Sequence, residues 1–398
     1  MSYEKIIADN KAWIDEVWSK LDTKLSRTAV KSIEKIPYTT KNGEHDSCTA
    51  KPEDCAKGDK DILWWTNGFW GALMWVMYAG TGKECYKETG MAAEKIMDTA
   101  FNYMDKLHHD VGFMWHIMSG AQYKLTGDKA SRNRDILAAM SLASRYNVEG
   151  NYIRSWNSKW SDKGNQGWTI IDCMMNIPQL YWASEEIDDT RFKKIAVRYA
   201  DMAMRDHVRA DGSVNHIVVH DPDQPDTVIE TKGGQGYGVG STWSRGAAWA
   251  LYGFILSYIH TKEERYLDTA KKVAHYFITN VMNTEWLPLC DFRSPAEPQL
   301  YDSTAGAIAA CGLIEIAKNV PEFEKDIYLN AAIKMLKAME KAWCNWSEDE
   351  DAVLMMGTER WLPDANDGER GQHIPIIYGD FFFAEAILKL RGSDFLPL

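Results

Sequence analysis

The sequence predicts an all-α fold, a six-hairpin (α/α)6 barrel with a small β-hairpin on the rim of its open end. Three observations predict it. Twelve stretches carry helical periodicity between loops rich in glycine and polar residues. They alternate between helices that are apolar nearly all round and helices with a solvated stripe. The loops leading into the apolar helices are long and rich in aromatic, Gly, His and Asp residues. A helix apolar on every side is buried on every side, so six of one kind alternating with six of the other describe an inner ring wrapped by an outer one.

The periodicity places helices at 4–25, 69–79, 84–107, 112–126, 129–146, 169–187, 191–207, 243–261, 264–281, 303–319, 324–344 and 379–391. Those starting near 69, 112, 169, 243, 303 and 379 are the inner set, exemplified by Phe69-Trp-Gly-Ala-Leu-Met-Trp-Val-Met-Tyr78. In the outer helix 264–281, Glu264, Arg265, Asp268, Lys271 and Lys272 alternate with Tyr266, Leu267, Ala270, Val273 and Phe277. A short internal echo marks where inner helices hand over to outer ones: Tyr78-Ala-Gly-Thr81, Tyr123-Lys-Leu-Thr126, Tyr181-Trp-Ala-Ser184 and Tyr258-Ile-His-Thr261. Each hydroxyl is placed to cap the outgoing helix. The stretch 213–232, with Val214, Ile217, Val218, Val219, Val228 and Ile229, reads as the rim β-hairpin. In such a barrel the six long loops meet at one end and line a funnel.

Composition narrows the function. At 398 residues, the chain is expected to form a single domain spanning 1–398. Its 17 tryptophans and 18 tyrosines mostly serve core packing and helix contacts, and so many amphipathic rings would also suit a cleft that stacks on sugar faces. The net charge of −12 argues against nucleic acid as a partner, because binding it rests on a basic surface. An acidic substrate would have to find its positive charge locally, inside a pocket. Seven cysteines, an odd number with no C-x-x-C pair, fit a reducing compartment. No secretory signal opens the sequence, and no apolar run approaches the roughly 18 residues of a membrane span. The expectation is a soluble cytoplasmic protein, monomer or homodimer, with no membrane partner.

Two carboxylates stand out. Asp110 closes His108-His109-Asp110 ahead of an apolar helix, where a plain helix N-cap is the competing reading. Asp172 sits in Trp168-Thr-Ile-Ile-Asp-Cys173, where it resembles the third-position acid behind a Thr169 cap. Its apolar company (Ile170, Ile171, Cys173, Met174, Met175) favours a chemical role. Desolvation favours the protonated form of a carboxyl group, which a general acid working near neutrality needs. Asp302 and Asp380 read as plain caps. His216 and His220, spaced to face one side of a strand, could mimic a metal pair, but no third ligand at useful spacing is visible. No metal and no cofactor are expected. Arg245 could clamp a carboxylate bidentately or serve a helix-end salt bridge. No phosphate loop, dinucleotide fingerprint or nucleophile elbow occurs.

The set Trp65-Thr-Asn-Gly-Phe-Trp70, His109-Asp-Val-Gly-Phe113, Ile171-Asp-Cys-Met-Met-Asn176, Gln235-Gly-Tyr237, Ser241-Thr-Trp-Ser-Arg-Gly246, Asp302-Ser-Thr304 and Tyr378-Gly-Asp380 resembles the unsaturated glucuronyl hydrolases, glycoside hydrolase family 88. The resemblance runs in order from about residue 64 to 391, with a motif where each inner helix begins. It implies a six-hairpin α/α barrel and an exo-acting hydrolase that removes 4,5-unsaturated uronic acid from lyase-generated oligosaccharides. It implies hydration of the C4=C5 vinyl ether, with Asp172 as the acid/base and Asp110 as the second essential acid. Like-charge coupling between the two would make them titrate jointly. It implies substrate contacts at His109, His216, Gln235, Arg245 and Trp249, and also at Trp65 and Asn67. The His-Asp-Val-Gly motif at 109–112 favours the glucuronyl branch over the unsaturated rhamnogalacturonyl hydrolases. An N-acylglucosamine epimerase-like isomerase or a non-catalytic sugar-binding barrel are the readings from other classes. The insert around Cys48-Thr-Ala-Lys-Pro-Glu-Asp-Cys55 matches no motif.

Overall fold

The first helix, α1 (Tyr3–Lys31), lies on the outside and closes a ring of hairpins from the far end of the chain. The computed structural model describes residues 2–56, 59–157 and 164–398. The hairpins follow in order. The first is α2 (Phe69–Thr81) with α3 (Glu84–Met97). Next, a π-helical segment, Gly112–Gly120, runs into α4 (Ala121–Thr126) and pairs with α5 (Lys129–Ser144). A 3-10 turn, Ile171–Met175, leads to α6 (Pro178–Glu186) and its partner α7 (Thr190–Asp206). Then come α8 (Ser244–Thr261) with α9 (Glu264–Met282), and α10 (Ser303–Asn319) with α11 (Glu322–Trp343). Last, α12 (Ile377–Leu390) packs against α1. Around the inside, α2 touches α12, α12 touches α10, and α10 touches α8. In turn α8 touches the 3-10 turn and α6, and the π segment joins α6 back to α2. The ring is closed, as the alternation predicts.

Burial follows the two helix kinds. Every residue of α10 from Ser303 to Ala317 is buried, whereas α7 buries Phe192, Ala196, Tyr199, Ala200 and Ala203 along one stripe. The Tyr-x-x-Thr echo has a physical basis. In three hairpins the tyrosine carbonyl accepts the N–H of a left-handed C-cap residue: Gly82, Gly127 or Lys262. The threonine hydroxyl donates back one turn and accepts the N–H of the residue two positions on, namely Lys83, Asp128 and Glu263. At Ser184 the turn is longer, and Asp189 caps α7 instead.

The strands are short and antiparallel. They are β1 (Thr40–Lys41) with β2 (Glu44–His45), β3 (Tyr146–Asn147) with β4 (Tyr152–Ile153), and a sheet of β5 (Trp168–Ile170), β6 (Ile217–His220) and β7 (Val228–Lys232) in that order. The rim hairpin is therefore present, with a third strand. That strand corrects the helix expected at 169–187: Trp168-Thr-Ile, aromatic and β-branched, pairs with Val219, Val218 and Ile217 instead of coiling. The helix expected over 84–107 ends at Met97, and a 3-10 segment interrupted at Tyr103 (φ −124°, ψ 37°) continues to Lys106. Asp380 is also no cap: Ile376 holds that position, and the Asp380 carboxylate accepts the N–H groups of Val353 and Leu354. Burial pushes its pKa up to about 7.

The inner ring is tight enough to dictate glycine. A Cβ on Gly253 of α8 would lie 2.5 Å from Met174 Cβ and 2.8 Å from the Met174 carbonyl oxygen. Gly253→Ala is expected to lower stability by about 1–3 kcal/mol, as overpacking does, read as a fall in the thermal or urea midpoint. An unchanged midpoint would show that α8 and the 3-10 turn have slack at this crossing.

Candidate active site

The β5–β6 ladder does more than decorate the rim. Its last bond, Ile171 N–H to the His216 carbonyl at 3.1 Å, sets His216 beside the next residue, Asp172. His216 Nε2 then lies 3.5 Å from Asp172 Oδ1. The other ring nitrogen, Nδ1, accepts the N–H of Gln235 at 2.9 Å. In the neutral imidazole the proton is therefore on Nε2, facing the carboxyl group. The Trp243 ring packs against His216 with centroids 4.2 Å apart, tilted by 33°, and limits its rotation. Thr169 does not cap a helix ahead of Asp172; its hydroxyl lies 2.9 Å from His207 Nε2 and 3.2 Å from the Val218 carbonyl. The capping-box reading of Asp172 is thus overturned by the strand.

Asp110 is held differently. It precedes the π segment, a helix form that recurs at functional sites, and its side chain caps nothing. Asp110 Oδ2 lies 3.0 Å from His108 Nδ1, and Oδ1 lies 3.1 Å from His109 Nε2. Nδ1 of His109 donates to the Ser155 carbonyl at 2.8 Å, which orients the ring. Burial pushes the Asp110 carboxyl up, but the charges and hydrogen bonds of the two imidazoles outweigh it and hold the group well below the usual carboxylate range. The three side chains bring ligand-type atoms within 4.8 Å of one another, the one such grouping among the described residues. His216 and His220 do not form a metal pair: His220 turns away to Asp206, 3.0 Å from its Nε2.

One residue joins the two acids. Asn176 is fully buried, and its Nδ2 lies 3.4 Å from both Asp110 Oδ1 and the Asp172 carbonyl. Its Oδ1 accepts the N–H of Phe113 at 2.9 Å. Gly112 makes this approach possible, since a Cβ there would sit 2.7 Å from Asn176 Oδ1. Neither His108 nor Asn176 is singled out by sequence reasoning. The signal for Asn176 is its place four residues after Asp172.

The remaining predicted contacts surround this pair. Trp65 is half-buried and packs with Phe69, Phe113 and Tyr378. Asn67 is buried, donates to the Asp61 carbonyl at 3.0 Å, and leaves Oδ1 without a partner among the described residues. Trp249 lies fully buried against Phe113, Phe382 and Tyr378, as floor and not as wall. Gln235 is half-buried and donates to the Glu359 carbonyl at 2.6 Å. Arg245 is 1% exposed and largely engaged: Nη1 bonds to Asp302 at 2.5 Å and the Thr358 carbonyl at 2.7 Å, and Nη2 to the Glu359 carbonyl at 2.7 Å. Only Nε lacks a partner among the described residues. A free two-pronged clamp is therefore not what the fold presents; Arg245 offers a fixed charge and one donor. Asp302 caps α10 through the Thr304 N–H, as expected, and is in addition the counter-ion of Arg245.

No protein-family model matches the chain. The chain is 33% identical over 336 residues to the unsaturated glucuronyl hydrolase of Bacillus sp. (strain GL1), covering 82% of this chain and 86% of that one. It is 31% identical over 350 residues to the unsaturated chondroitin disaccharide hydrolase of Streptococcus pyogenes serotype M1, covering 87% and 86%. Its fold superposes on the crystal structure of the Bacillus sp. GL1 unsaturated glucuronyl hydrolase, responsible for the degradation of glycosaminoglycan. The TM-score is 0.82 and the identity 30%, with 94% and 97% of the two chains covered.

Because the pKa of Asp110 is lowered from 3.8, its contribution to stability is present above that value and lost as pH falls through the lowered one. His108→Ala removes one of the two groups that hold it down. The acid limb of kcat/KM is then expected at higher pH in the variant than in the wild type. An unmoved limb would mean that the imidazole of His108 does not set the ionisation of Asp110.

Proposed function

The chain belongs to the unsaturated glucuronyl hydrolases, and on that premise we propose how its residues act. It is a glycoside hydrolase that releases 4,5-unsaturated uronic acid from the non-reducing end of lyase-generated oligosaccharides, of the chondroitin and hyaluronan type. The observation that carries the residue assignment is the unequal pair of buried carboxyls: Asp110 held as an anion between two imidazoles, and Asp172 facing a single Nε2–H across 3.5 Å. Two acids in contrasting surroundings divide the roles of an acid and of an electrostatic partner.

In this scheme the Asp172 carboxyl gives its proton to C4 of the unsaturated ring. The C4=C5 electrons form the new C–H bond, and positive charge spreads over C5 and the ring oxygen. The fixed Asp110 carboxylate stabilises that charge. Asp172, now a carboxylate, takes a proton from water as the water oxygen bonds to C5, and so regains its starting form. The product is a hemiketal. Its ring opens to the C5 ketone, and the hemiacetal left at C1 collapses to release the sugar. No carboxylate attacks the anomeric carbon, so the spacing rule for retaining and inverting glycosidases does not apply. His216 steadies the oxygen of Asp172 that carries out both transfers, and Trp65 offers a stacking face for a sugar. Arg245 supplies positive charge and Gln235 and Asn67 polar contacts at the uronate end, while His109, whose ring nitrogens face Asp110 and the Ser155 carbonyl, acts there through Asp110.

Other parts of the reading accompany this one. We take residues 1–398 as one catalytic domain, monomeric or homodimeric. All seven cysteines are free thiols, which supports a reducing, cytoplasmic setting. No helix among the described residues is long and apolar enough to cross a membrane. Neither metal nor cofactor takes part in the scheme.

Two measurements test it. Loss of ultraviolet absorbance from the unsaturated uronate, on disaccharides from chondroitin or hyaluronan lyases, reports turnover directly. Asp172→Asn is expected to cut kcat by about a hundred- to ten-thousand-fold with fold and binding retained; ordinary turnover in that variant would sink the mechanism. Exhaustive chelation is expected to leave activity intact. Activity lost to chelation and restored by zinc would instead make His108, His109 and Asp110 a metal centre.

A further inference from the structure

The segment between α1 and α2, on either side of the insert that matches no motif, reaches the site through one side chain, that of Glu359. Tyr38 OH donates to Glu359 Oε1, and Lys60 Nζ lies 3.0 Å from the same oxygen. The Lys60 ammonium also sits 3.7 Å over the Tyr38 ring and 5.0 Å over the Trp64 ring. This is a cation held by a carboxylate and two aromatic faces, with both charged side chains about four-fifths buried. The backbone carbonyl of Glu359 accepts two other bonds, from Arg245 Nη2 at 2.7 Å and from Gln235 Nε2 at 2.6 Å. The next rim residue but one, Trp361, donates its N–H to the Gln235 carbonyl at 2.8 Å. One residue thus faces the segment between α1 and α2 with its side chain and two predicted substrate contacts with its backbone.

The second support is backbone geometry. Glu359 N–H bonds to the Gly371 carbonyl at 2.7 Å, and Gly371 has φ +80° with its missing Cβ only 2.5 Å from Glu359 Cδ. The side chain therefore runs in a channel with the loop folded over it. On the other side, the Ile377 N–H bonds to the Tyr38 carbonyl at 3.0 Å and Thr39 Oγ1 to the Pro375 carbonyl at 2.6 Å, so Tyr38 is itself anchored to the chain entering α12.

We propose that Glu359 is a positioning residue, a latch through which Tyr38 and Lys60 hold the 357–361 backbone where it orients Arg245 and Gln235 for the substrate. The latch acts on binding and leaves the Asp110–Asp172 chemistry to itself. It rests on the reading of Gln235 and Arg245 as contacts to the uronate end. It also gives the segment between α1 and α2 a function: it supplies the outer half of a clamp on the rim.

The test is steady-state kinetics on the full chain with an unsaturated chondroitin disaccharide. Glu359→Ala and Lys60→Met are expected to raise KM about fivefold to tenfold with kcat within about twofold of wild type. Lys60→Arg, which keeps the charge, is expected to restore most of the loss. Gln235→Ala is measured alongside, alone and combined with Glu359→Ala. A double variant no worse than Gln235→Ala supports the latch acting through Gln235, since coupled residues are not additive. If Gln235→Ala raises KM but Glu359→Ala and Lys60→Met do not, the latch is overturned while the substrate contact stands. If Gln235→Ala leaves KM unchanged, that contact falls; a raised KM in Glu359→Ala would then assign the latch to Arg245 alone, and an unchanged KM would overturn it. A lower melting temperature with kcat and KM both unchanged would reduce Glu359 to a structural role and also overturn the proposal.

Discussion

A guanidinium has been brought into the barrel interior, and much of the open end is arranged around it. Arg245 is 1% exposed and its partner Asp302 fully buried. Burial opposes the charge, and Asp302 outweighs that opposition, so Arg245 stays a cation. A buried ion of this kind is tolerable only with a close counter-ion and further hydrogen bonds beside it. Here the satisfaction comes from three places at once: Asp302 at the start of α10, the Thr358 and Glu359 carbonyls of the rim, and the Trp243 ring 4.3 Å away at the start of α8. Asp302 in turn accepts from Thr304 and from the Thr358 N–H at 3.2 Å. The ion pair therefore fastens two inner helices and the rim loop to each other, and removal of either partner would leave the other charge uncompensated.

The pair of buried acids is organised by a second set of contacts, which meets the first at Trp243, touching both Arg245 and His216, and at Gln235, whose N–H holds His216 and whose Nε2 shares the Glu359 carbonyl with Arg245. On one side the π segment places Asp110 between His108 and His109; on the other the β5–β6 ladder places His216 against Asp172. Asn176 binds the two sides together, and Gly112 leaves room for it. The proposed division of labour between the two acids rests on this asymmetry of neighbours, not on any difference in side-chain chemistry. It also explains why neither acid is free to serve its helix as a cap.

How much of this was legible in the sequence depends on the range of the contacts. The inner and outer helices announce themselves locally, because an all-apolar run such as 306–314 can be only inside. The Tyr-x-x-Thr turns are local as well. The start of the third inner unit was misread because Trp168-Thr-Ile-Ile carries strand-forming residues next to a helical pattern, and the partner that decides the matter, β6, lies some fifty residues on. The same limit hides Glu359 and Asn176. Tyr38 and Lys60 meet Glu359 across about three hundred residues, and Asn176 reaches Asp110 across 66. Nothing in the spacing of a sequence encodes such meetings. The motifs marked the acids and the rings, while the residues that hold them were visible only in three dimensions.

A chain of net charge −12 that binds an acidic sugar looks at odds with itself, yet the distances resolve it. At physiological ionic strength, surface charges are screened beyond roughly 8 Å, so acids on the outer helices contribute little inside the funnel. In the proposed site a uronate is surrounded by a cation 1% exposed and imidazoles 1% and 5% exposed, groups set in the protein interior. A single charge in such a medium acts several times more strongly than in water. Its orientation then matters more than its number. On the proposed reading, a rim that fixes the peptide carbonyl between Arg245 and Gln235 would govern affinity without adding a charge of its own.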